Sequence, residues 1–284
     1  MINTKIFLFS IFFIILIIVV NKHIILEKFS ERIDNNNSEN LDPTIQEFVN
    51  KSITICMKTL YRRRLLKEHL KFIRKKLPNI KVIISDDSDE EYIKETKNEI
   101  KQYLDKNTTY IELPFDSGLS KGRNECVKLV TTPYIILTDD SRTIDISNKK
   151  LIEFINFLEK NREYSLITGY CPQRSGIYRH FTKEYYFDDE KKIKEKDIDK
   201  SKGIKYNNFT FYKIGRGNNT FIARTKVLKE NKWNDKMKVG EHRTFFRNLF
   251  KNDIKSLYCK DLIFKQFNNS LRRYDKNGSK MRHR

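Results

Sequence analysis

Two pairs of adjacent carboxylates are the groups in this sequence best placed to do chemistry. Asp86 and Asp87 follow the apolar run KVIIS (81–85), and Asp139 and Asp140 follow YIILT (134–138). Adjacent carboxylates at a strand end repel each other, so they require a cation, a hydrogen-bond donor or water. Oxygen-rich sets of this kind suit Mg2+ or Mn2+, usually shared with the phosphates of a substrate. The alternative for each pair is turn or helix-cap chemistry, since Ser88 and Ser141 follow directly. Between the pairs, GLSKGRN (118–124) offers Arg123, whose planar fork suits a phosphate or a nucleobase edge. The glycines there allow close backbone approach, but the G-x-x-x-x-G-K-[ST] phosphate loop is absent, and Ser120 can act simply as a helix cap. Gly240-Glu241-His242 precedes a helical stretch with Phe245 and Phe246. Glu241 is then either an acidic residue at a helix start or a general base over a cleft.

The elements that must hold these groups alternate. SITICM (52–57) reads as a strand, Leu60 to Leu77 as a helix, and Lys81 to Ser85 as a second strand. Glu91 to Leu104 (helix), Tyr110 to Leu113 (strand), Lys121 to Val130 (helix) and Tyr134 to Leu137 (strand) continue the order, followed by a helix over Leu151 to Lys160 and a strand from Ser165. Strands this apolar are covered on both faces, which predicts an α/β, doubly wound, mostly parallel sheet flanked by helices. Ligands of such sheets bind beyond the carboxyl ends of the strands, where both aspartate pairs fall. Periodicity is lost from Ser175 to Tyr212, which reads as an acceptor-binding insertion or an irregular hairpin region. Val227 to Lys232 and His242 to Lys251 read as helices, and Lys255 to Cys259 and Leu262 to Phe264 as final strands.

Several segments together, ITICMKTLYRRRLLKEHLKFIRKKLPNIKVIISDDSDE, GLSKGRNECVKLVTTPYIILTDDS, NNTFIARTKVLKENKWND and GEHRTFF, stand in the order seen in GT-A glycosyltransferases. The chain resembles the β-1,4-N-acetylgalactosaminyltransferase (ganglioside synthase) group and family 2-like glycosyltransferases, over about residues 52–170 and 215–267. The resemblance implies a GT-A fold and an inverting transfer of a sugar, N-acetylgalactosamine or a related hexose, from a UDP-sugar to a glycan or glycolipid hydroxyl. It places Asp86 and Asp87 near uracil and ribose, Arg123 and Asn124 at the border of the nucleotide, and Asp139 and Asp140 where Mn2+ or Mg2+ bridges enzyme and diphosphate. Glu241 would take the acceptor proton. Two positions depart from the pattern: Ser141 stands where a third carboxylate is expected, and Gln266 where relatives carry a metal-ligating His. Fewer charged ligands weaken cation binding, so either Asp140 compensates, metal dependence is reduced, or the protein binds nucleotide or an acidic glycan or lipid without transfer.

Composition fits a packed domain: 38% of residues are hydrophobic and 33% charged, too apolar for a disordered chain and too polar for a multi-span membrane protein. The 57 basic against 37 acidic residues give a net charge of +20, which raises affinity for any polyanion without identifying one. No nucleic-acid-binding module accompanies that charge. Cys56, Cys126, Cys171 and Cys259 form no C-x-x-C pair and read mostly as buried thiols. The run Ile6 to Val20, broken only by Ser10, lacks an A-x-A-like cleavage site and reads as an uncleaved single-pass signal anchor within residues 1–26. Type II Golgi or ER placement follows from the resemblance, against a mild positive-inside preference for a cytosolic C-terminal domain set by Lys22, Lys28 and Arg32. Residues 27–50 read as a stem, 51–270 as the transferase domain and 271–284 as a basic tail. The sequons at Asn107 and Asn208 carry little weight in so Asn-rich a chain.

Overall fold

A computed structural model of the chain describes residues 43–171 and 182–267. The expected anchor, most of the stem, part of the aperiodic region and the basic tail lie outside the described residues. No helix among those described is long and apolar enough to cross a membrane.

In chain order the elements are α1 (Pro43–Ser52), β1 (Ile53–Thr59), α2 (Arg63–Lys76), β2 (Lys81–Asp86), α3 (Glu90–Glu99), β3 (Thr108–Glu112), α4 (Leu119–Leu129), β4 (Tyr134–Asp139), β5 (Arg142–Ile144), α5 (Asn148–Lys160) and β6 (Tyr164–Tyr170). The second half adds β7 (Glu184–Phe187), β8 (Ile193–Lys196), β9 (Ile204–Tyr206), β10 (Phe209–Ile214), β11 (Phe221–Arg224), α6 (Thr225–Glu230), α7 (Glu241–Lys251) and β12 (Lys255–Gln266). Helix α1 occupies the end of the stretch read as stem, and it buries Val49 and Ser52.

The period-two pattern of the strands explains the layers. Ile53, Ile55 and Met57 of β1, Val82 and Ile84 of β2, and Tyr134 and Ile136 of β4 join one apolar core with α2 and α5. The intervening Cys56, Ile83, Ile135 and Leu137 join a second core on the other face with α4, α6 and α7. Both faces are therefore dry, which is why these strands are apolar throughout rather than alternating. Cys56, Cys126 and Cys259 are buried free thiols, as their setting predicted.

The sheet runs β3-β2-β1-β4-β11-β6-β12-β10-β9. Its first part is parallel, with β2 and β4 on either side of β1. Beyond β4 the order mixes: β11 is antiparallel to both β4 and β6, β12 is parallel to β6, and β10 is antiparallel to β12. The sheet is thus mixed rather than mostly parallel, because β11, β10 and β9 all enter it through antiparallel pairings. The described part of the aperiodic region is a β7–β8 hairpin followed by β9 and β10.

The two final strands expected from the sequence are one twelve-residue strand, β12, whose pairing with β6 shifts register between Cys259 and Ile263. The shift lets its end leave β6 and pair with β5, setting Gln266 opposite Arg142. Gly169 sits at this irregularity, where an added Cβ would lie 2.1 Å from the Leu262 carbonyl oxygen and 2.7 Å from the Phe264 ring. Gly169→Ala should therefore lower the thermal midpoint, by about 1–3 kcal/mol of stability, read by calorimetry.

Candidate active site

The carboxyl ends of β2, β1 and β4 lie side by side. Thr59 of β1 is in register with Asp86, and Lys58 with Asp139. Two strand spacings put the aspartate pairs ~10 Å apart, both in reach of the end of β1. Side chains of β1 touch each pair: Lys58 Nζ is ion-paired with Asp87, and Thr59 Oγ1 donates to Asp140 Oδ2 at 3.1 Å.

The first pair is turned inward. Asp86 Oδ1 accepts from the Ser88 backbone N–H (2.9 Å) and hydroxyl (2.6 Å), and Oδ2 from the Tyr110 hydroxyl (2.5 Å). Burial raises the Asp86 pKa, against the opposing effect of these donors and Lys58. Asp87 is fully buried, with the Gly118 N–H donating to Oδ2 at 2.8 Å. It thereby holds the turn that starts α4, where Gly118 has a φ of +93° and an added Cβ would meet the Lys238 backbone at 2.7 Å. Gly118, not Ser120, is the residue at the helix start.

The second pair faces arginines. Asp140 Oδ1 accepts from Arg62 at 2.8 Å. Asp139 is 29% exposed, 3.0 Å from Arg123 Nη2 and 3.8 Å from Arg142 Nη1. Its pKa is lowered: burial pushes it up, but Arg123, Arg142 and Arg62 outweigh burial, so it is an anion at neutral pH. The β12–β5 pairing brings Gln266 beside this segment, and the Phe267 N–H donates to the Ser141 carbonyl at 3.0 Å.

Arg123 links the two sides of the site. Its guanidinium is 2% exposed and binds Glu241 through Nη1 and Asp139 through Nη2. Its neighbour Gly122 lets α4 approach this closely, since a Cβ there would stand 2.5 Å from Lys58 Cγ. The guanidinium lies 5.9 Å from the Trp233 ring centroid, and Trp233 stacks on Phe245 at 4.1 Å. Asn124 takes the Trp233 N–H at 3.1 Å and donates to the Trp233 carbonyl (2.9 Å) and Asp235 (2.6 Å), so its amide fastens the 233–235 loop to α4. Glu241 is 2% exposed and also accepts from Asn219 Nδ2 at 3.1 Å. It does not act as a cap for α7.

Residues 52–253 match the family described as glycosyl transferase family 2. The chain belongs to that family. It is 36% identical to mouse β-1,4 N-acetylgalactosaminyltransferase 2 over 132 residues, 45% of this chain and 23% of that protein. It is 30% identical to human β-1,4 N-acetylgalactosaminyltransferase 1 over 125 residues, 44% of this chain and 21% of that protein. The chain thus spans under a quarter of these curated relatives. Among solved structures it resembles S. aureus TarS 1-349 in complex with UDP-GlcNAc, with a TM-score of 0.53 and 15% identity, covering 77% of this chain and 59% of that one. At that identity the likeness speaks for the fold, a mixed α/β sheet of the GT-A kind.

The sequence motifs therefore include most of the residues assembled here. Lys58, Arg62, Arg142, Asn219 and Trp233 do not stand out from sequence. Lys58 carries a signal, a cation inside an otherwise apolar strand; the arginines sit just past strand ends among many other basic residues.

Breaking the Arg123 bridge should cost stability. Arg123→Met strands two carboxylates, one of them buried, and should lose about 3–5 kcal/mol in urea denaturation. Arg123→Lys, which can keep one carboxylate but cannot span both, should lose less.

Proposed function

We propose that this family 2 domain transfers N-acetylgalactosamine or a related hexose from a UDP-sugar to a hydroxyl of a glycan or glycolipid, with inversion. The observation that carries the reading is the gathering of Asp139 at the end of β4 and Glu241 at the start of α7 around Arg123 of α4. The mouse and human relatives, both named as N-acetylgalactosaminyltransferases, favour the sugar, and the UDP-GlcNAc complex of TarS favours a UDP donor.

In this reading the nucleotide lies over the ends of β2 and β1, where Asp86 and Asp87 fix the loop backbone, and Arg123 and Asn124 of α4 border it. The diphosphate comes to Asp139, whose partly exposed anion faces outward while Asp140 is engaged by Arg62 and Thr59. Among the described residues no group of three or more His, Cys, Asp or Glu side chains forms a cation cage. The donor set fits the sparser arrangement, in which Mn2+ or Mg2+ is held by one or two carboxylates together with substrate phosphates. Asp139 would hold the ion, with Asp140 beside it, and when bound the ion supplies positive charge for the departing diphosphate. Arg62 and Arg142 contribute permanent positive charge at the same place. Glu241 and His242, at the start of α7, stand on the acceptor side. The N-terminal apolar run serves as a membrane anchor that keeps the domain near its acceptor.

A second reading, nucleotide or acidic-glycan binding without transfer, is favoured by Ser141 and by the pairing of both Asp139 and Asp140 with arginines. One experiment separates them. The full chain, incubated with UDP-N-acetylgalactosamine or UDP-N-acetylglucosamine and Mn2+, should melt at a higher temperature and release UDP when offered a glycan panel. Asp139→Ala should cut turnover on the order of 10²–10³-fold or more while leaving the fold intact. A melting shift without UDP release from any acceptor selects the binding reading; neither response rejects both.

A further inference from the structure

Resting on the transferase reading, we propose that the acceptor proton is taken by the His242 imidazole, with Glu241 behind it as a positioning residue. Glu241 is poorly placed to act directly. It is 2% exposed, and its Oε1 already accepts from Arg123 and Asn219. A base must come within about 3 Å of the hydroxyl it deprotonates.

His242 follows in the same first turn of α7, about 100° further round the helix. Its ring is half-buried, and among the described residues no hydrogen bond or ion pair engages it. Its nitrogens are open rather than sealed among unpartnered buried atoms. The charges that act on it are those of the site itself: Glu241 on its own helix, Arg123 from α4, Asp139 from the end of β4, and Arg216 from the loop after β10. Arg216 is in turn held by Glu195 of β8 at 3.2 Å, which also binds Arg243 at 3.0 Å. Burial lowers the His242 pKa below 6.5, with Arg123 and Arg216 adding to the shift and Glu241 and Asp139 opposing it. At neutral pH the ring is therefore uncharged and has a lone pair to offer. The other histidine among the described residues, His69, is sealed, with its pKa pushed down to about 3 and both nitrogens unpartnered, so it cannot meet a substrate.

The step balances. The acceptor oxygen forms a bond to the anomeric carbon, and the bond from that carbon to UDP breaks with its electron pair leaving on UDP. The hydroxyl proton passes to an imidazole nitrogen, and the imidazolium then returns it to water. Glu241 and Asp139 favour the imidazolium as it forms, against Arg123 and Arg216, and the buried Arg123 contact fixes Glu241 in place beside it.

The test is the pH dependence of UDP-sugar transfer by the full chain and its variants. In the wild type, kcat/KM should fall as pH drops through a value below 6.5, as His242 gains its proton. His242→Gln should lower kcat by about 10²–10⁴-fold, with the KM for the UDP-sugar and the UDP-induced melting shift kept. His242→Glu should recover part of kcat and move the acidic limb to lower pH. Glu241→Gln should instead lower the melting temperature along with activity. Turnover of His242→Gln within about threefold of wild type, or an acidic limb unmoved in His242→Glu, overturns the assignment alone. A wild-type chain that neither transfers sugar nor responds to UDP rejects the transferase reading, and this inference with it.

Discussion

The arrangement depends on one buried cation. Arg123 has been taken almost completely out of water, at a desolvation cost that only close anions can offset. Those anions come from the end of β4 and the start of α7, elements more than a hundred residues apart in the chain for the Glu241 contact. Meeting both forks fixes the rotation of α4 about its axis and its height above the sheet. Gly122 is then required for physical reasons, since any side chain at that position would strike Lys58 and Ser85 and lift the helix. Trp233 packs beside the guanidinium and against Phe245, so the 233–240 loop and α7 are held to the same point. The end of β4 and the start of α7 are thus set relative to each other by a single side chain.

The same logic governs the remaining charges. Lys58 neutralises Asp87 in a place where neither can reach solvent, and Arg62 does the same for Asp140 with less than complete burial. Asp139 is different. It has two guanidinium neighbours and remains partly open, so its negative charge is lowered in cost yet still presented outward. Under the transferase reading proposed above, a diphosphate would find fixed positive groups around one accessible carboxylate, a preorganised setting that needs little rearrangement as negative charge grows on the leaving group.

Burial decides how much of this is legible in the sequence. The β1–α2–β2 and α4–β4 regions are readable because both sheet faces are covered, so their strands are continuous apolar runs. The β7–β8 hairpin is not, because its side chains are mostly half or fully exposed and leave no contrast between faces. Strand β12 looks like two strands because polar residues at Lys260 and Asp261 interrupt it where the register shifts. The aspartate pairs and Glu241 are visible as types at element ends, and Arg123 within the GLSKGRN segment. Their pairings are not, since Arg62 reaches Asp140 across 78 residues and Arg123 reaches Glu241 across 118, and a basic chain offers many equivalent candidates.

The tripeptide Asp-Asp-Ser occurs at the end of β2 and again at the end of β4, and the two copies have different fates. After β2 the chain enters a helix, so Ser88 folds back to donate to Asp86 and itself accepts the Tyr61 N–H at 2.9 Å. The acids there are consumed in building the turn, and Asp86 is left 1% exposed. After β4 the chain instead turns directly into β5, and the Ser141 carbonyl is tied to Phe267 by the far end of β12. That tie keeps Ser141 within the β4–β5 connection, so its side chain does not fold back to quench Asp139, which stays 29% exposed. Identical local sequence therefore yields a structural brace at one strand end and an available anion at the next, and the difference comes from the element into which each strand leads, a helix after β2 and another strand after β4.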